Sequence, residues 1–213
     1  MTYQREKSLP YPQPWEFIMH SIFNNKKNLF FVDIGAHDGV SSSNTAYAEM
    51  DLHWNGICIE PHPDVYSKLV TTRKCKTYNC CVSEFESEIE FCRIRGYSEM
   101  LSGIKSSYSE SHLKRITNEI SEHGGDMSII KVPSKTLNGI LDENNINHID
   151  YISIDTEGSE LSVLKSIDLN KHKVTVISAE NNGYNNDVYQ YLKELYNFVG
   201  KVCHDEIYIR KQL

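Results

Sequence analysis

Phe30-Phe31-Val32-Asp33-Ile34-Gly35-Ala36-His37-Asp38-Gly39 is the stretch that decides how the rest of this chain is read. The run from Leu29 to Val32 is apolar and strand-favouring, and it stops at an acid followed by two glycines. That order predicts a buried parallel strand feeding a tight loop. Glycine there lets the backbone turn and approach a ligand that a Cβ would push away. The helix expected next aims free N–H groups and the positive end of its dipole at the same place. An anionic or zwitterionic ligand is implied.

A second buried strand, Gly56-Ile57-Cys58-Ile59-Glu60, ends in an acid twenty-one residues after Gly39. A βαβ nucleotide site puts the carboxylate that accepts the ribose hydroxyls at about this distance. The glycine spacing is D-x-G-x-x-x-G, without the G-x-G-x-x-G on which a pyrophosphate sits. Asp33 would repel a pyrophosphate but welcome the amino group of a methionine moiety, so S-adenosylmethionine fits better than NAD. An apolar-D-x-G run alone also occurs as a plain strand and turn; Glu60 weakens that reading.

Working outward, 213 residues suffice for one α/β domain with a sizeable core. Hydrophobic content of 39% and charged content of 24% are ordinary for a globular protein, and no apolar run approaches the ~20 residues needed to span a bilayer. Met1 to Lys7 shows no apolar signal region, and the six cysteines lack C-x-x-C spacing, so reduced core thiols and a cytoplasmic location are expected. The net charge is −7, and the best basic cluster is Lys68, Arg73, Lys74 and Lys76. Neither nucleic acid nor a membrane is expected as partner.

Residues 1–28 read as an arm containing Pro10, Pro12 and Pro14, followed by an amphipathic helix with Trp15, Ile18, Met19, Ile22 and Phe23 at helical spacing. That helix packs on the sheet or on the partner of a homodimer. Residues 29–213 form the domain itself. Val40-Ser41-Ser42-Ser43-Asn44-Thr45 opens a helix, where Ser43 and Asn44 serve as caps or face the ligand loop. Pro61 starts the next helix. Lys76 to Val82 is a third strand, with Cys81, Val82 and Ser83 at the adenine edge. Glu88 to Arg93 alternates like a half-exposed strand. The polar stretch at about 95–126 is either a mobile loop or a substrate lid. Ile149-Asp150-Tyr151-Ile152-Ser153-Ile154-Asp155-Thr156-Glu157-Gly158 repeats the strand, acid and glycine pattern, and a strand over Val174 to Ala179 ends in Glu180-Asn181-Asn182-Gly183. Acids at strand carboxyl ends sit where open α/β sheets bind ligands. A final antiparallel pair closes around His204-Asp205.

Phe31 to Gly39, Ser43-Asn44-Thr45, Trp54 to Pro61 and Asp150 to Glu160, in this order, resemble the FkbM family of methyltransferases over roughly residues 29 to 210. The resemblance implies the Rossmann-like class I fold, a mostly parallel seven-stranded α/β sheet with helices on both faces. It also implies S-adenosylmethionine-dependent O-methylation of a sugar, glycan or other small-molecule hydroxyl. Many members carry Asn where this chain has His37. Carried over by position, Asp33, Gly35, Ala36, His37 and Gly39 would line the methionine end. Glu60 would hold the ribose, Val82 and its neighbours would flank adenine, and Asp155 would lie near the sulfonium. The acceptor proton would leave to Asp155, Glu157, Glu180 or His204. Alternatively Asp155, Glu180 and Asn181 would hold Mg²⁺, as in catechol O-methyltransferases. Rival readings are a non-catalytic binding module of the same fold and an RNA 2'-O-methyltransferase.

Overall fold

The computed structural model describes residues 13–182 and 185–211. The arm expected over residues 1–14 lies almost wholly outside the described residues, as does Gly183. α1 (Pro14–Glu16) continues into a π-helical turn (Phe17–Ile22), closed where the Phe23 N–H donates to the Ile18 carbonyl. There follow β1 (Phe30–Ile34), α2 (Ala46–Met50), β2 (Asn55–Ile59), α3 (Pro63–Thr72), β3 (Lys76–Tyr78), β4 (Cys81–Val82) and β5 (Ser87–Arg95). Two short 3₁₀ turns flank β6 (Gly103–Ile104). Next come α4 (Glu110–His123), β7 (Asp126–Lys135), α5 (Leu137–Glu143), β8 (His148–Ile154), α6 (Glu160–Lys165), β9 (Lys173–Glu180), α7 (Asp187–Leu192), β10 (Tyr196–Val202) and β11 (Asp205–Arg210).

Burial on both faces is why β1 reads as an unbroken apolar run: Phe31, Val32 and Ile34 are all buried. Val32 and Ile34 meet Ile57, Ile59, Ile152, Ile154 and Ile177 on one face, covered by α5 and α6. Phe31 joins Cys58, Tyr151 and Val176 on the other. Trp15, Ile18 and Met19 pack into that second face, so the amphipathic N-terminal helix uses its apolar side inside its own chain. The main sheet runs β10-β11-β9-β8-β1-β2-β3, all parallel except β11. Asp205, expected in the closing turn, is the first residue of β11 and pairs with Glu180.

The third strand is split, contrary to expectation. Asn79 donates its side-chain amide to the carbonyls of Glu60 (2.7 Å) and Pro61 (3.2 Å), which turns the chain after β3. Cys81 and Val82 then enter a second sheet of order β4-β7-β5-β6. In it β5 and β7 pair along their length, from Ser87 opposite Ser134 to Arg95 opposite Asp126. The segment between them carries α4, which buries Ile116 against Ile94 and Leu101. No helix among the described residues is long and apolar enough to cross a membrane.

Candidate functional site

The carboxyl ends of β1, β2 and β8 meet at Gly35. The Gly35 and Ala36 N–H groups donate to the Ile59 carbonyl, and the Asp155 N–H donates to that of Ile34 at 2.9 Å. Gly35 has φ +85°, and a Cβ there would lie 1.7 Å from the Asp155 carbonyl oxygen. Gly39 has φ +84°, and its Cβ would meet Arg73, Leu69 and Thr72 within 3 Å. Both glycines thus make room for the protein's own chain, not only for a ligand.

Glu60 is 6% exposed, and its carboxylate ties two loops together. One oxygen accepts the His37 N–H (2.9 Å) and the other the His62 N–H (2.7 Å). Burial outweighs these bonds and pushes its carboxyl up to about 7. Glu60 faces a cavity of about 690 Å³, part of it open to solvent, lined also by Gly35, His37, Pro61, Cys81, Val82 and Asp155. The segment expected as a lid forms the opposite wall through Glu99, Met100, Ser102, Gly103 and Ile104. Glu99 lies 3.6 Å from the His37 ring and 2.9 Å from Lys68. Burial opposes charge on His37, but Asp38, Glu60 and Glu99 together outweigh it and raise its pKa.

A polar cleft of about 1330 Å³ adjoins this cavity, walled by Ser107, Ser109, His112 and Arg115 on one side and by Glu180, Asn181 and Asn182 on the other. The boundary is acidic: Asp155 lines the cavity, Glu180 the cleft, and Glu157 both. Carboxylate oxygens of these three lie within 4.8 Å of one another. Glu157 sits at φ +55°, on a loop that Glu160 fixes by accepting from the N–H groups of Thr156 (3.2 Å) and Gly158 (3.0 Å). Burial, then the neighbouring carboxylates, raise Asp155 well above the usual range and push Glu157 and Glu180 up to about 8. Asp205 is likewise pushed up to about 8 by burial and by Asp155. The cluster therefore holds protons at neutral pH.

Several expected site residues are placed elsewhere. Asp33 does not line the cavity; its carboxylate is buried beneath the loop, accepting from Thr45 Oγ1 (2.5 Å), with Arg73 4.0 Å away. Burial raises its pKa against the pull of Arg73. Ser43 accepts from the Thr45 and Ala46 N–H groups just before α2, and Asn44 donates to Ser153 and Asp205. Ala36 is buried in the second core face, and Ser83 bonds Ser134 at 2.7 Å in the second sheet. His204 is exposed in the turn between β10 and β11, where its carbonyl accepts from the Asn181 N–H. Of the expected magnesium set, Asp155 and Glu180 come together with Glu157, and Asn181 lines the cleft with Glu180, its amide nitrogen donating to the Asn185 carbonyl and to Glu206.

Two residues emerge that the sequence reading did not single out for the site. His112 places Nδ1 3.8 Å from Glu157, and burial lowers its pKa. Arg73 is a buried hub, donating to Glu49 (2.5 Å), the Gly39 carbonyl (3.0 Å), Ser43 (3.3 Å) and Thr45 (2.9 Å).

A search of curated proteins finds no match. Among solved structures, the chain is similar to the methyltransferase FkbM from Methylobacillus flagellatus KT, at 14% identity and a TM-score of 0.51. The match covers 87% of this chain and 44% of that one, so this chain spans less than half of that protein's length. A precorrin-6y C5,15-methyltransferase from Geobacter metallireducens GS-15 aligns at 12% identity over 98% of this chain and 94% of that one, with a TM-score of 0.44. The N-terminal domain of human METTL16, in complex with SAH, aligns at 12% identity over 99% of this chain and 76% of that one, with a TM-score of 0.46. At these identities the likeness concerns the fold alone. The sequence itself goes further: the family model for the methyltransferase FkbM domain matches residues 33–203, and the chain belongs to that family.

Proposed function

We propose that the chain binds S-adenosylmethionine in the cavity between β1, β2 and β8 and methylates a hydroxyl of a saccharide or other small molecule held in the adjoining polar cleft. The observation that carries this reading is the junction of the two spaces at Asp155 and Glu157, which sets a donor pocket and an acceptor pocket on either side of proton-holding carboxyls. The residues present fit the cofactor. Each Glu60 oxygen, having accepted one N–H, keeps acceptor capacity for a ribose hydroxyl, and Cys81 and Val82 line the same cavity. When bound, the cofactor supplies a methyl group activated by its sulfonium. The chain's part is to align the acceptor oxygen and take its proton. Carboxyls pushed up to about 8 are stronger bases than ordinary ones, which suits Glu157 and Glu180, or Asp155 between them, to that task. The net charge of −7 favours an acceptor other than RNA.

The test is calorimetric titration with S-adenosylmethionine and S-adenosylhomocysteine, followed by a screen of saccharide acceptors and structured RNA with methyl-labelled cofactor. Glu60→Ala is expected to lose about 2 to 3 kcal/mol of cofactor affinity, the scale of charge-assisted hydrogen bonds. A folded parent that binds neither compound would overturn the reading. A second reading rests on the three clustered carboxylates, which as hard oxygen ligands also suit Mg²⁺. It predicts activity that a chelator abolishes and Mg²⁺ restores, whereas the proton-transfer reading predicts no effect of chelator.

A further inference from the structure

Away from the cavity, two sulfurs are in contact. Cys58 lies in β2 in register with Thr77 of β3, so Cys75, two residues earlier, turns its side chain to the same face of the sheet. The two Sγ atoms are 3.4 Å apart. Cys58 is fully buried, whereas Cys75 is partly exposed in a surface depression lined also by Glu49, His53 and Lys74. An oxidant arriving from solvent meets Cys75 first. Behind it, one Glu49 oxygen accepts the N–H groups of Lys74 (2.7 Å) and Cys75 (2.9 Å), and the other accepts Nε of Arg73. Arg73 in turn holds the Gly39 carbonyl, Ser43 and Thr45. The backbone of Cys75 is therefore joined to the loop that follows β1 through two side chains, Glu49 and Arg73.

We propose that Cys58 and Cys75 are an oxidisable pair that closes to an intrachain disulfide under a peroxide and thereby loosens the loop after β1. The Cys75 thiolate attacks a peroxide oxygen, the O–O bond breaks, and a sulfenic acid and hydroxide result. The Cys58 thiol then attacks the Cys75 sulfur, the S–O bond breaks, and water leaves with the thiol proton. Two electrons pass from the two sulfurs to the peroxide, and nothing else is consumed. Burial raises the Cys58 pKa and makes it inert toward solvent, which leaves it the part of resolving thiol, acting by proximity. The bond brings the sulfurs about 1.4 Å closer than the 3.4 Å observed, to the ~2.0 Å of a disulfide. β2 is paired on both sides, by β1 and β3, so the movement falls on the Cys75 segment and hence on Glu49 and Arg73.

The coupling to the loop is read through the cofactor and rests on the proposed function; the disulfide does not. The reduced full chain is exposed to hydrogen peroxide, then examined by intact mass and by non-reducing peptide mapping. The expected result is loss of the mass of two hydrogens and a peptide linking Cys58 to Cys75. Cys58→Ser should abolish the link and leave a sulfenic acid on Cys75 that dimedone traps. Cys75 left unmodified, or oxidised without a link to Cys58 in the parent chain, overturns the disulfide. Titration with S-adenosylhomocysteine should then show binding about tenfold weaker after oxidation, within the usual range of coupling between sites, and recovered on reduction. Equal affinity in both states overturns the coupling. Absence of binding even in the reduced protein overturns the cofactor reading and the coupling with it, while the mass result decides the disulfide alone.

Discussion

Replacing Glu180 by Gln should flatten a fall in stability with pH that the acid cluster imposes on the ligand-free protein. In the unfolded chain Glu157 and Glu180 titrate near the ordinary 4.5, and in the fold they are pushed up to about 8 by burial, then by Asp155 for Glu157 and by Glu157 for Glu180. Asp205 behaves likewise, pushed from the ordinary 3.8 up to about 8. Across this window the folded protein keeps protons that the unfolded chain has released. Their contribution is therefore complete below the unfolded pKa and is lost as the pH rises through about 8. Each such proton lowers the unfolding free energy by about 1.4 kcal/mol per pH unit. His62 and His112, with lowered pKa, act in the opposite sense, but only below the ordinary 6.5. His37, whose pKa is raised, adds to the fall above 6.5, so the cluster's share over about pH 7 to 8 is read from the difference between parent and variant. Because the carboxyls restrain one another and are partly open to the cleft, the expected slope is that of one or two protons, roughly 1 to 3 kcal/mol per pH unit. Glu180→Gln should remove about 1 kcal/mol per pH unit of it. Urea denaturation of parent and variant across the window measures both slopes. Stability that is flat or rises with pH in the parent, or a variant with the parental slope, would refute the assignment of shared protons to this cluster.

Gly35→Ala should abolish cofactor binding and lower the melting temperature markedly, since its Cβ would fall 1.7 Å from the Asp155 carbonyl oxygen and prise β1 from β8; a soluble variant with parental melting and affinity refutes this. Arg73→Met leaves Asp33 and Glu49 buried without their partner and should cost about 3 to 5 kcal/mol of stability, measured by urea unfolding. Asp155→Asn is expected to keep cofactor affinity within a few-fold while lowering kcat by about 10² to 10⁴, the scale of general-base loss. Normal turnover of Asp155→Asn on the true acceptor would move that role to Glu157 or Glu180.

The elements that were legible in the sequence owe their signal to neighbours in the chain. The apolar run of β1 and its break at Gly35, the acid that closes β2, and the paired motif at Asp155 each show as a local change of composition, and the structure puts Gly35, Glu60 and Asp155 on one cavity. What was not legible depends on partners far along the chain. Asp33 reads as an acid before the glycine loop, and nothing nearby in sequence announces Arg73, forty residues on and 4.0 Å from its carboxylate. Ser83 looks like the end of a strand in the main sheet, but Asn79 turns the chain and Ser134 receives it. His112 sits in a polar stretch with little pattern, and only the pairing of β5 with β7 carries α4 to Glu157. Neither His112 nor Arg73 has a local signature that would have placed it.

The two walls of the site belong to different sheets. One wall of the cavity comes from strand ends of the seven-stranded sheet, whose geometry is locked by Gly35 and by backbone bonds between β1, β2 and β8, with Cys81 and Val82 of β4 at its margin. The opposite wall, from Glu99 to Arg115, hangs from the four-stranded sheet between β5 and β7, which pair with each other whatever lies between them. A change in that segment would therefore alter the lining of both the cavity and the cleft while leaving the strand ends beneath them in place. The segment between Arg95 and Asp126 can be exchanged, lengthened or recharged as a cassette, with the closing ladder of β5 and β7 as its fixed frame, and the machinery beneath it need not relearn its own fold.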